Sequence, residues 1–100
     1  MRLTEFQRKK IVDAIMTQFG SEAEIYLFGS RVDDNKKGGD IDLLVAVHGN
    51  SGDLELKKIK SVTGIQFAIG DQKIDLIVTP DISCDSRLVV REAVRTGVRL

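Results

Sequence analysis

Apolar positions along the chain switch between two periods, and the switches mark its elements. Ile11, Val12, Ile15, Met16 and Phe19 recur at helical spacing on one face, which predicts a first helix. Thr4 and Gln7 ahead of them have capping-box spacing, and Gly20 supplies the stop. Arg8, Lys9 and Lys10 fall on its solvated side. Past Gly20 the period shortens. Glu24 to Phe28 is apolar on both faces, as expected of a central strand covered from both sides. Asp40 to Val47 alternates, with Ile41, Leu43, Val45 and Val47 on one face and Asp40, Asp42, Leu44 and Ala46 on the other. Lys73 to Val78 repeats the scheme: Ile74, Leu76 and Val78 oppose Lys73, Asp75 and Ile77. Between these two strands, Leu54 to Ala68 reads as a helix with Leu54, Ile59, Val62 and Ile65 as core contacts. Ser86 to Arg95 reads as a last helix before Gly97.

The pattern predicts an α/β (α+β) domain, a small mixed β-sheet with flanking helices, occupying residues 1–100 as one unit. A helical crossover makes the second and third strands parallel, so both start at the same end of the sheet. Asp40, Asp42 and Asp75 then gather there. If the first two strands are antiparallel, the Gly29-Ser30 corner ends at that same end.

Composition narrows the classes. Fifteen basic and fifteen acidic residues cancel, so no global basic field argues for a nucleic-acid binder. No apolar run approaches the roughly 20 residues of a membrane span, and MRLTEFQRKK has no apolar signal-peptide region. One cysteine (Cys84) and one histidine (His48) exclude an intrachain disulfide and a Cys/His zinc site within one chain. A cytoplasmic protein is expected.

Asp40 and Asp42 lie two apart on a strand and so point to one face. Two unit charges about 4 Å apart repel by roughly 4 kcal/mol at an effective dielectric near 20, and a third carboxylate worsens that. Lys73 and Arg31 offer partial compensation. Hard divalent cations answer the cluster more fully: Mg²⁺ takes one or two carboxylates, waters and phosphate oxygens. Two such ions could clamp the attacking and leaving oxygens of a phosphoryl displacement. Gly29 lets the backbone approach a phosphate, Ser30 adds a hydroxyl and Arg31 a charge-assisted contact. A metal clamp beside a phosphate cradle describes nucleoside-triphosphate chemistry.

Gly29-Ser30, nine residues, Asp40-Ile41-Asp42 and a later strand aspartate, Asp75, together resemble the motif of the DNA polymerase β-type nucleotidyltransferase superfamily. Within it the chain looks like the minimal nucleotidyltransferases, over Ile25 to Val78 and again in the closing REAVRTGVRL. The resemblance implies a polymerase β-like fold and Mg²⁺-dependent transfer of a nucleoside monophosphate, AMP from ATP above all, to a hydroxyl. It implies Asp40 and Asp42 as ligands of two Mg²⁺ ions. Asp75 would help with the catalytic one and assist deprotonation of the acceptor. Gly29, Ser30 and Arg31 would bind the NTP. Small stand-alone members resemble antitoxins that inactivate all-helical HEPN-type toxins by nucleotidylating them, so a HEPN-type partner is implied as well. A nucleic acid enters only as an acceptor, homo-oligomerisation stays open, and no membrane is involved. A second reading stays open too: an inert member of the family that binds and neutralises a partner without turnover.

The remaining charges read as bland. Arg87, Arg91 and Arg95 form one solvated helix stripe, and Lys57, Lys58 and Lys60 a solvated face. His48 and Cys84 carry no assignable chemistry.

Overall fold

The computed structural model describes residues 3–29, 40–48, 52–70 and 72–100. Helix α1 runs Glu5–Phe19. Its capping box is closed: the Gln7 N–H donates to Thr4 Oγ1 and the Thr4 N–H to Gln7 Oε1, each at 3.0 Å. Gly20, at φ 94°, ends it. Strand β1 (Glu24–Phe28) and strand β2 (Ile41–Ala46) follow. Helix α2 (Leu54–Ile69) is capped by the Asp53 carboxylate, which accepts from the Glu55 and Leu56 N–H groups. Strand β3 (Ile74–Thr79), helix α3 (Leu88–Thr96) and the short strand β4 (Val98–Arg99) complete the chain.

The sheet order is β3-β2-β1-β4. β1 is antiparallel to β2 and β4, and β2 is parallel to β3, as the helical crossover requires. Strand parity divides the apolar side chains between two cores. Ile25, Leu27, Ile41, Leu43, Val45 and Leu76 face α1 and α2, which bring Ile11, Ile15 and Ile65. On the other face Leu44 packs under Val90 and Ala93 of α3, with Tyr26, Phe28 and Ile77 at its rim. β1 is therefore covered on both sides, as its composition predicts. The aspartate-bearing face of β2 is half covered: Leu44 and Ala46 are buried there, while Asp42 lies one step beyond the helix.

One expectation needs correction and one element is new. Ile59 is not a core contact; it is 57% exposed. The seam of α2 runs through Leu54, Ser61, Val62, Ile65 and Ile69, and Ile59 lies on the opposite, outer side with Leu56 and Phe67. The small Ser61 takes the place against the sheet that a hydropathy count gives to a larger residue. The last helix precedes Gly97 as expected, and beyond it stands a strand that the sequence reading did not assign. Gly97 turns the chain back so that Val98 and Arg99 pair with Leu27 and Tyr26. Among the described residues no helix is long and apolar enough to cross a membrane.

Candidate active site

The register of the sheet builds the site. Asp42 of β2 stands opposite Asp75 of β3 and, on its other side, opposite Phe28 of β1. Both carboxylates share the face that α3 covers further along, and because α3 stops short of them they line an open cleft of about 460 Å³. Phe28, Ile77 and Val89 form its apolar lining, and Lys58 of α2 reaches it across the edge of β3. A wider groove of about 840 Å³ along α3, lined by Leu88 and Arg91 among others, shares Phe28 and Val89 with it.

The charges in the cleft are poorly compensated. Burial pushes the Asp42 carboxyl above its usual range, and the neighbouring charge of Asp75, a hydrogen bond with it and the charge of Asp40 push the same way. Lys73 opposes this only weakly, because its ammonium sits against Asp40 instead, 3.6 Å from Oδ2. Of the three aspartates singled out in the sequence, the fold thus sets Asp42 beside Asp75, and Asp40 stands just before the strand in a solvent-exposed ion pair. Among the described residues no group of three His, Cys, Asp or Glu side chains is drawn together closely enough to hold a metal ion by itself.

Gly29 has a more specific role than a turn. Its φ is +76°, a left-handed conformation that side chains disfavour. A Cβ placed there would collide with Oδ2 of Asp42. The corner is glycine because the Asp42 carboxylate occupies the space of a side chain. Ser30 and Arg31, expected beside it, lie outside the described residues.

Three sequence readings change. Lys58, read as part of a solvated face, is the cation in the carboxylate cleft. Its i−4 and i+4 neighbours, Leu54 and Val62, face the core, and that spacing was the available signal. Arg87 is exposed, as a solvated stripe requires, but it also has partners. Its guanidinium clasps both oxygens of Asp85 and donates to the Val78 carbonyl at 2.9 Å, holding Asp85 well below the usual carboxylate range. His48 has a partner at the opposite end of the sheet, where its Nε2 lies 2.8 Å from Oε2 of Glu24.

Residues 8–98 match the family model of the nucleotidyltransferase domain. The chain belongs to that family. Among solved structures, this nucleotidyltransferase domain is similar to a chain in the crystal structure of the toxin–antitoxin MntA–HpeT, a mutant with two aspartates replaced by glutamate. The TM-score is 0.63 at 18% identity, over 93% of this chain and 70% of that one. At that identity the likeness is one of fold, and it extends to the mixed sheet with flanking helices. No curated protein matches the nucleotidyltransferase domain.

Proposed function

We propose that residues 1–100 form one catalytically active nucleotidyltransferase unit that moves a nucleoside monophosphate, AMP from ATP first, to a hydroxyl of a partner protein. The observation that carries the proposal is the in-register Asp42–Asp75 pair, placed in an open cleft with the side-chain-free Gly29 against it. A fold gains nothing by setting two carboxylates side by side and half burying one of them. The donor set fits a hard divalent ion, which takes one or two carboxylates and completes its shell with water and phosphate oxygens. Asp42 and Asp75 would hold Mg²⁺. Asp40 would join them on leaving Lys73, because a pair this exposed is worth little. The bound ion would offset the carboxylate repulsion and stabilise charge developing on the transferred phosphoryl group.

The chain's own residues supply the rest. Gly29, with Ser30 and Arg31 after it, would seat the triphosphate. The acceptor oxygen attacks the α-phosphorus, the bond to the bridging oxygen of the β-phosphate breaks, and pyrophosphate leaves. Asp75, exposed at the sheet edge, takes the acceptor's proton. A protein partner is supported by Leu88, 82% exposed, and Val89 beside the cleft. The fold neighbour comes from a toxin–antitoxin pair, so a helical HEPN-type toxin, met in the cytoplasm, is the partner proposed.

One observation favours the second reading, an inert module that neutralises its partner by binding alone: Asp40 is committed to Lys73. Transfer of label from each of four α-labelled NTPs to the folded partner in Mg²⁺ separates the two. The active reading expects transfer, reduced about 100-fold or more by Asp42→Asn or Asp75→Asn, a loss of roughly 3 kcal/mol. No transfer from any of the four NTPs establishes the inert module.

A further inference from the structure

Lys58 lies in the first half of α2, on the far side of the β3 edge from α3. Its side chain is half-buried and lines the cleft together with Asp42 and Asp75. Among the described residues, Lys73 at this end of the sheet lies against Asp40, and Arg87, beside Val78 toward the far end of β3, is held by Asp85. Lys58 forms no ion pair with any acid among the described residues, although Glu55 is three residues away on the same helix. Lys58 also borders a second, smaller cleft of about 270 Å³, where Glu55 and Arg87 stand.

A lysine that shares a cleft with two carboxylates and pairs with neither is placed for a third party. The carboxylates attract cations. Once a divalent ion offsets them, the cation lining the cleft among the described residues is Lys58, and the cleft favours an anion. The ligand that brings both kinds of charge is a metal-bound polyphosphate.

We propose that Lys58 is a phosphate-binding residue of this site, contacting the phosphate chain of the nucleoside triphosphate from the α2 wall, opposite the Gly29 corner. This rests on the transferase reading above and extends it to a residue outside the aspartate and glycine motif. An ammonium–phosphate contact in a partly dry cleft is a charge-assisted hydrogen bond, and its loss weakens binding by about 10-fold or more.

The test is calorimetric titration with Mg²⁺-ATP, Mg²⁺-tripolyphosphate and adenosine, none of which needs the acceptor. Lys58→Gln should weaken ATP and tripolyphosphate by the same factor, about 10-fold, and leave adenosine unchanged. Lys58→Arg should restore most of the affinity. Lys60→Gln, on the same helix but outside the cleft, should match wild type and so controls for net charge. Matching thermal melts of the three variants show that the fold is kept. If Lys58→Gln binds ATP as tightly as wild type while Asp42→Asn does not, the Lys58 assignment is wrong and the transferase reading stands. If Lys58→Gln and Lys60→Gln weaken ATP equally, the effect is general charge and the assignment is wrong as well. Wild type that binds no nucleotide in Mg²⁺ removes the transferase reading and this inference together.

Discussion

Among the described residues, the two ends of the sheet use their ionisable groups in opposite ways. At one end Glu24 is shared among three partners: His48 at 2.8 Å, Tyr26 Oη at 3.2 Å and Arg99 at 3.3 Å. The Arg99 guanidinium also lies 5.9 Å from the centre of the Tyr26 ring. These contacts, His48 first, pull the Glu24 carboxyl below its usual range. At the other end Asp42 faces Asp75, and its carboxyl is pushed up. The first cluster is complete within the chain and ties β4 and the segment after β2 to β1. The second sets two carboxylates face to face, and under the proposed function a bound metal ion completes it. A satisfied polar cluster contributes to stability, and an unsatisfied one marks a site.

Substitutions should separate the ends by sign. The largest effect is expected at the corner. Gly29→Val needs a β-branched residue at φ +76° and drives its Cβ into the Asp42 carboxylate. A loss of about 2–3 kcal/mol in denaturant unfolding is expected, together with loss of Mg²⁺-ATP binding. A variant as stable as wild type would mean that the corner relaxes freely and the two sites are not coupled. Next comes Glu24→Gln, which weakens three contacts at once and should lower stability by about 1 kcal/mol, some 4–8 °C in melting temperature for a domain of this size. No change would demote that cluster to surface decoration.

The smallest effect has the opposite sign. Asp42→Asn in EDTA relieves repulsion and should raise stability by about 0.5–1 kcal/mol. Millimolar Mg²⁺ should then stabilise wild type and do little for the variant. A variant that melts lower in EDTA would show that Asp42 anchors the fold. The pH dependence sharpens the contrast. Glu24, lowered in the folded state, contributes stability above the ordinary carboxylate range, near pH 4.3, that is lost as pH falls through its lowered value. Asp42, raised in the folded state, contributes stability below about pH 3.9 that is lost as pH rises through its raised value. The deficit of Glu24→Gln should therefore shrink on acidification. The advantage of Asp42→Asn should grow as pH rises. Parallel pH profiles for the two variants would erase the distinction between the ends.

What could be read from the sequence follows the range of each interaction. The parallel pairing of β2 and β3, and with it the meeting of Asp42 and Asp75, is legible because a helical crossover and strand parity are local rules applied in order. Gly29 was legible as a special corner but not as the neighbour of Asp42, which depends on the exact register of β1 on β2. The Glu24–His48–Arg99 cluster was not legible, since its members are far apart in the chain and none lies in a motif. Lys58 was hidden among three lysines that differ only in the direction each leaves the helix. β4 was hidden by its length: two residues carry no period, and only the open edge of β1 makes them a strand.

Asp75 also has a consequence for how the protein behaves in concentrated solution. β3 is the outermost strand on its side of the sheet and reads IDLIVT. Such a segment, high in β-propensity and with no further strand paired to its outer edge among the described residues, is a template for strand pairing between molecules. Asp75 is its single charge, and Arg87 blocks the Val78 carbonyl further along. The carboxylate proposed for chemistry is therefore also the edge's gatekeeper against aggregation. Asp75→Asn should form higher oligomers at concentrations where Asp42→Asn stays monodisperse in light scattering, because this edge is the one the domain can least leave neutral.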